Sequence, residues 1–164
     1  MNKTRAAVAV ASGAVLAASA TFVAGWEGFY ARTYKDIVGV PTVCYGETEK
    51  SAVAEGRKRA YSKQECTDML AKSLASYDAA AMACLDPPRP ITDNMHKAFI
   101  SVSYNVGVHG FCNSTMARRV NAGDFKGACD ALLAWNKAGG RVVKGLVTRR
   151  NQERKLCLEG VEGR

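Results

Sequence analysis

Residues 26–49 read WEGFYARTYKDIVGVPTVCYGETE. Tyr34, Ile37, Val38, Val40, Thr42 and Val43 are interleaved with the turn formers Gly39, Pro41 and Gly46. That mixture predicts short strands in a hairpin or small sheet. Upstream, a helix-period stripe runs into Trp26-Glu27-Gly28-Phe29-Tyr30 without a linker. Downstream, from Ser62, the pattern turns helical. Ser62 and Glu65 have capping-box spacing, and Cys66, Met69, Leu70, Leu74 and Tyr77 recur at helical intervals. Pro87-Pro88-Arg89-Pro90 breaks the chain. Thr92 or Asp93 then opens a second helix with Met95, Phe99, Val102 and Val106 on one face, ended by Gly107 and Gly110. Shorter helices are expected over 113–121, 124–136 and 145–158, with breaks at Asn121-Ala122-Gly123 and Gly139-Gly140. Strands segregated from helices make the fold class α+β.

The chain has 164 residues, room for one domain with a real core. Its net charge of +8 fits an anionic partner such as nucleic acid, a membrane face or cell wall. The basic residues are dispersed, with one cluster at Arg149, Arg150, Arg154 and Lys155, and no nucleic-acid-binding pattern accompanies them. No nucleic-acid partner is therefore expected. Cys44, Cys66, Cys84, Cys112, Cys129 and Cys157 form no Cys-x-x-Cys pair, and His96 and His109 stand at no ligand-like spacing from them. A zinc site is not expected. With an export signal, six cysteines read as up to three disulfides, and spacing leaves the pairing open.

Residues 6–25, AAVAVASGAVLAASATFVAG, carry no charge and follow Lys3 and Arg5. The length suits a membrane span of ~20 apolar residues. Nine of the twenty are Ala and five more are Ser, Thr or Gly, so the apolar area holding it in lipid is small. The flanking cations place the N-terminus in the cytoplasm and the rest outside. Three readings follow: a signal peptide cleaved after the A-x-A site Ala18-Ser19-Ala20, a permanent anchor, or a segment that inserts, escapes and joins the folded protein.

Splitting a glycosidic bond calls for two carboxyl groups astride it, one protonated and one ionised. Glu27 lies between Trp26 and Phe29-Tyr30, company that would favour a protonated carboxyl. Asp36 follows in a polar, turn-rich stretch where ionisation is cheap, and the Thr42 hydroxyl offers a hold on water or sugar. Residue types alone also allow a solvated helix residue, a turn former and a strand residue.

Spacing and context decide. Glu27-x8-Asp36-x5-Thr42 resembles the catalytic signature of the phage-type lysozymes, glycoside hydrolase family 24. Trp26-Glu27-Gly28, Tyr34-Lys35-Asp36, Gly46, Tyr104-Asn105-Val106-Gly107, Phe111-x-Asn113-Ser114-Thr115, Trp135 and Gly145-Leu146-x-x-Arg149-Arg150-x-x-Glu153-Arg154 extend the resemblance over about residues 24 to 160. It implies a lysozyme-like fold: a small N-terminal β-sheet lobe and a larger helical lobe joined by a long helix. It also implies a muramidase cutting the β-1,4 bond between N-acetylmuramic acid and N-acetylglucosamine in peptidoglycan glycan strands, with no metal and no cofactor. Glu27 would be the general acid, Asp36 its partner carboxylate and Thr42 the residue that positions water or sugar; Tyr104 and Ser114 would contact the glycan. Arg149, Arg150 and Glu153 read as a structural ion-pair network. Two positions depart from the family pattern: Glu47 stands where a histidine is usual after Gly46, and Cys44 where glycine is frequent.

The cysteines and the weakly apolar segment together resemble the signal-anchor-release endolysins, which act in host cell lysis. That subclass implies export by the host secretion machinery, an inactive form held at the host inner membrane facing the periplasm, and release into the periplasm. Residues 1–25 would then be a releasable signal-anchor and residues 26–164 the catalytic domain. Placing the cysteines on the family fold suggests the pairs Cys44–Cys66, Cys84–Cys112 and Cys129–Cys157. Two other readings stay open: a wall-binding protein that keeps the fold without turnover, and a basic, membrane-active carrier whose lysis would not need Glu27.

Overall fold

A computed structural model describes residues 10–36, 39–85 and 90–163. Residues 6–9 of the apolar segment, Ile37 and Val38 of the strand stretch, and Pro87, Pro88 and Arg89 of the breaking run lie outside them.

The first helix, α1 (Gly13–Ala24), starts at Ser12, whose hydroxyl accepts the Val15 amide at 3.4 Å. It buries Val15, Ser19, Ala20 and Val23. Strands β1 (Tyr30–Lys35) and β2 (Pro41–Cys44) form an antiparallel hairpin pairing Tyr30 with Cys44 and Tyr34 with Thr42, with a bulge between. A bulge admits an extra residue on one strand and sharpens the local twist.

Helix α2 (Lys50–Lys58) backs this hairpin. Gly56 makes the close approach possible, because a Cβ there would lie 2.7 Å from Thr33 Oγ1 and 2.9 Å from Val43 Cγ2. Thr33 Oγ1 donates to the Val53 carbonyl at 2.6 Å, tying strand to helix.

Helix α3 (Lys63–Ala83) has the expected capping box at Ser62 and Glu65. It joins the lobes by contributing to two cores. Cys66, Leu70 and Leu74 pack with Ala20, Val23, Val43 and Ile100. Ala81 and Met82 pack instead with Met95, Phe99, Phe111 and Met116. The helical lobe continues through α4 (Asp93–Val106), capped by Thr92, then α5 (Val108–Cys112), α6 (Thr115–Ala122) and α7 (Phe125–Ala131). The helix expected to reach residue 136 instead tightens into a 3-10 turn over Leu132–Ala134. A two-residue hairpin, β3 (Lys137–Ala138) and β4 (Arg141–Val142), follows. Gly139 and Gly140, with φ of +55° and +76°, make its turn. Helix α8 (Lys144–Glu162) packs on α4.

Three disulfides are present: Cys44–Cys66, Cys84–Cys112 and Cys129–Cys157, with Cα separations of 5.1, 5.6 and 5.6 Å. They are the pairs the family placement implies. The first ties β2 to α3, the second α3 to α5, and the third α7 to α8. The fold is α+β with two small sheets and a dominant helical part. Among the described residues no helix is long and apolar enough to cross a membrane.

Candidate active site

Helix α1 and the first hairpin meet at Glu27. After α1, the Trp26 and Glu27 amides both donate to the Val23 carbonyl, at 2.9 and 3.3 Å, which turns the chain and presents the Glu27 side chain. That side chain is 27 % exposed, and its Oε1 lies 2.9 Å from Arg149 Nη1 on α8. The sequence suggests an apolar niche for Glu27 and a structural ion-pair network for Arg149. The structure replaces the apolar niche with a buried guanidinium against the candidate acid, and it extends the expected ion-pair network to Glu27.

Arg149 is itself held from behind. Its Nε donates to Glu153 Oε1 at 3.1 Å, and its Nη2 reaches the Ser101 carbonyl and Oγ, both at 3.2 Å. Ser101 Oγ donates to Glu153 Oε1 at 2.6 Å. Arg150 Nη1 lies 3.0 Å from Glu153 Oε2, and its Nη2 donates to Asn105 Oδ1 at 2.7 Å. Burial pushes the Glu153 carboxyl above its ordinary value against the pull of Arg150, Ser101 and Arg149, and burial lowers Arg150. Two guanidinia, two carboxylates and a hydroxyl thus form one continuous network ending at Glu27.

Asp36 sits at the end of β1, where its backbone and side chain shape the hairpin turn. The Val40 amide donates to Asp36 Oδ1 at 2.8 Å, and the Asp36 amide donates back to the Val40 carbonyl at 3.0 Å. A carboxylate fixed by a backbone amide is a preset acceptor. Thr42, buried on β2, donates its Oγ1 to the same Val40 carbonyl at 2.9 Å. Asp36 and Thr42 are therefore joined through Val40.

Tyr34 stands on β1 opposite Thr42, between Glu27 and Asp36 along the chain. Its phenol pKa is raised by burial first, then by Tyr30, and by the charges of both Asp36 and Glu27. Tyr34 stacks on Tyr30 with ring centroids 3.9 Å apart. Gly28 leaves room for this stack, because a Cβ there would lie 2.9 Å from the Tyr30 ring.

Tyr104, on α4, donates its hydroxyl to the Tyr45 carbonyl at 2.7 Å. Burial, with the charge of Glu27 next, raises its phenol. It also borders a cavity of about 330 Å³ lined by Tyr45, Glu47, Met69, Ser73 and Tyr77, which lies behind the hairpin and is not lined by Glu27, Asp36 or Thr42. Glu47 Oε2 there accepts from Ser73 Oγ at 3.1 Å, and its Oε1 accepts the Thr48 and Glu49 amides at 2.8 Å. The glutamate in the usual histidine position thus still ties the sheet to α3. Ser114 sits apart: it is buried, and its Oγ accepts the Ala117 amide at 3.1 Å as the cap of α6.

A bulged hairpin carrying an aspartate and a threonine, set beside a helix end carrying a glutamate, defines a lysozyme-like glycosidase. The chain matches the family model described as phage lysozyme over residues 24–153, and it belongs to that family. It is 42 % identical over 159 residues to the SAR-endolysin of Enterobacteria phage P21, covering 94 % of this chain and 93 % of that one. A point mutant of P22 lysozyme superposes with a TM-score of 0.77 at 28 % identity, covering 86 % of this chain and 95 % of the other. The active form of the P1 phage endolysin Lyz shares the fold, with a TM-score of 0.69 at 20 % identity over 93 % of this chain and 97 % of that one.

Proposed function

We propose that this lysozyme is a phage endolysin that hydrolyses the β-1,4 bond between N-acetylmuramic acid and N-acetylglucosamine in host peptidoglycan. Glu27 acts as general acid, delivering a proton to the glycosidic oxygen as its bond to the muramic anomeric carbon breaks. Asp36 remains ionised and supports the positive charge that develops on the sugar. Thr42 accepts from water or a sugar hydroxyl while its own O–H donates to the Val40 carbonyl. Arg149 binds one oxygen of Glu27, so the transferable proton belongs on the other. Tyr104 contacts the glycan, whereas Ser114, expected to do so as well, is buried with its hydroxyl spent on the cap of α6. The match to the phage lysozyme family over residues 24–153 carries this reading, with Glu27 held by Arg149 and Asp36 and Thr42 both fixed on Val40.

Residues 1–25 serve as a releasable signal-anchor and 26–164 as the catalytic domain. The host secretion machinery exports the chain, residues 6–25 hold it at the inner membrane, and release frees it into the periplasm. The name of the P21 relative and the small apolar area of the segment support this route.

The test is the clearing of outer-membrane-permeabilised cells by wild type and Glu27→Gln. Loss of at least ~10²-fold is expected from removing a general acid. Binding to wall without clearing in both proteins would mean a wall-binding protein, and lysis surviving the substitution would mean a membrane-active carrier.

A further inference from the structure

Asp78 lies outside the catalytic cluster, is 1 % exposed, and has both oxygens engaged by two different elements. Its Oδ2 accepts the Ala11 amide at 2.6 Å, and its Oδ1 lies 3.0 Å from Nδ1 of the buried His96 on α4. Ala11 immediately precedes Ser12, the cap of α1. A carboxylate of α3 therefore grips the start of the helix whose far end carries Glu27.

We propose that the Asp78–His96 pair is the docking point for the N-terminal segment and that Asp78 is a positioning residue for Glu27, acting through α1. The inference rests on the release reading above, because Ala11 must stay in the mature chain.

The need for such a grip follows from composition. Helices fix their mutual register by packing ridges of side chains into grooves. The buried face of α1 is Val15, Ser19, Ala20 and Val23, and two of these four are too small to make a pronounced ridge. Shape therefore fixes the axial position of α1 through few large side chains, Val15, Leu16 and Val23. A slip of one turn is ~5.4 Å, well beyond hydrogen-bond reach, and would part Glu27 from Arg149. The Asp78–Ala11 bond at one end and the Glu27–Arg149 pair at the other fix the axial position. A negative charge at the start of α1 also complements the helix dipole.

The pair further discriminates between the two locations of the segment. A buried carboxylate is tolerated when its partners are in place and penalised when one is missing. With the segment in lipid, Asp78 has no Ala11 amide to accept. With the segment docked, both oxygens are satisfied. A contact made in only one state biases the equilibrium toward that state.

Asp78→Ala and Ala11→Pro in the full chain test the proposal, the second removing the amide donor and fixing the local backbone while leaving α3 and α4 untouched. Amide hydrogen exchange is read separately on α1 and α8, and kcat and KM are measured on peptidoglycan. The expected result is a loss of roughly tenfold or more in α1 protection with α8 unchanged, and a fall in kcat with KM held within about twofold. Asp78→Asn, which keeps an acceptor, should recover part of both. Unchanged α1 protection and kcat in Ala11→Pro would overturn the proposal, as would equal loss of protection in α1 and α8. The N-terminal mass of the periplasmic wild type judges the release reading: a chain cut after Ala20 lacks Ala11 and overturns release and positioning together, whereas an intact chain with unchanged exchange in Ala11→Pro overturns the positioning role alone.

Discussion

Arg149 stands between two carboxylates, with Nη1 2.9 Å from Glu27 and Nε 3.1 Å from Glu153. One guanidinium thus links a solvent-reaching acid to a fully buried one. Arginine suits this place because its planar fork donates in several fixed directions at once, which an ammonium cannot do. Arg149→Ala leaves Glu153 with Arg150 and the Ser101 hydroxyl, and takes from Glu27 the guanidinium that holds it. The expected cost is about 3 kcal/mol of stability, typical of breaking a buried pair by removing one member. Clearing activity should fall on the order of 10²-fold as Glu27 loses its placement. Arg149→Lys should recover part of the stability and less of the activity. Urea denaturation and the turbidity assay on the same preparations check both, and an Arg149→Ala protein of full activity would refute the coupling.

Thr42 serves the hairpin and the proposed chemistry with one hydroxyl. The proton goes to the Val40 carbonyl at 2.9 Å, and the same carbonyl accepts the Asp36 amide at 3.0 Å. Thr42→Val keeps shape and removes the hydroxyl; Thr42→Ser keeps the hydroxyl and removes a methyl. Valine should cost about 1 kcal/mol for the lost hydrogen bond and at least ~10-fold in kcat. Serine should stay within roughly threefold of wild type. Equal activity of the valine and serine proteins would remove Thr42 from the reaction.

The hairpin, the long α3 and the caps at Ser62 and Thr92 were legible because each has a local cause: alternation, a capping box, a side-chain acceptor before an apolar stripe. Helix α2 was not, because Val53 and Gly56 are the only residues it buries, and a mostly polar stretch shows little periodicity. Its existence depends on packing against the hairpin through Gly56, a tertiary fact. The 137–142 hairpin was hidden for a similar reason, its strands being two residues each and exposed. Glu27, Asp36 and Thr42 are candidates because their spacing in a contiguous stretch carries the family resemblance. The contact of Arg149 with Glu27 spans 122 positions, and no local pattern reports such a pairing. A cluster of arginines beside a glutamate reads as an ion-pair network, which it is; only the fold reveals that the network ends at the acid.

Cys44 adopts a left-handed backbone, φ +58°, the only non-glycine residue to do so among those described. The usual glycine at this position avoids that strain, so the disulfide to Cys66 replaces a conformational convenience with a covalent tie between β2 and α3. Removing the pair as Cys44→Ala with Cys66→Ala should cost about 3 kcal/mol, the scale for a loop of this length. Cys44→Gly with Cys66→Ala should be the more stable double variant by roughly 1 kcal/mol, because glycine takes positive φ without penalty. Urea midpoints of the two proteins decide the sign; an alanine variant equal to the glycine variant would show that the backbone relaxes once the tie is cut.

Glu65 gives a pH signature remote from the active site. Arg59 first, then the Ser62 amide and hydroxyl, hold its carboxyl down to about 2. The distances are 2.8 Å from Arg59 Nη2 and 2.7 Å from the Ser62 amide. A carboxyl lowered in the folded state stabilises that state above its unfolded pKa, about 4.3, and the contribution is lost as pH falls toward the folded value. Glu65→Gln keeps the capping geometry and removes the charge. Wild type should therefore be more stable than Glu65→Gln from neutral pH down to about 5. The gap should close between roughly pH 4.5 and 2, while the other carboxylates, titrating alike in both proteins, cancel. The site is open to solvent, so added salt should narrow the gap at every pH above that window. Denaturation midpoints for both proteins across the acid range provide the check, and a gap that persists unchanged at pH near 2 would show that cap shape rather than charge carries the effect.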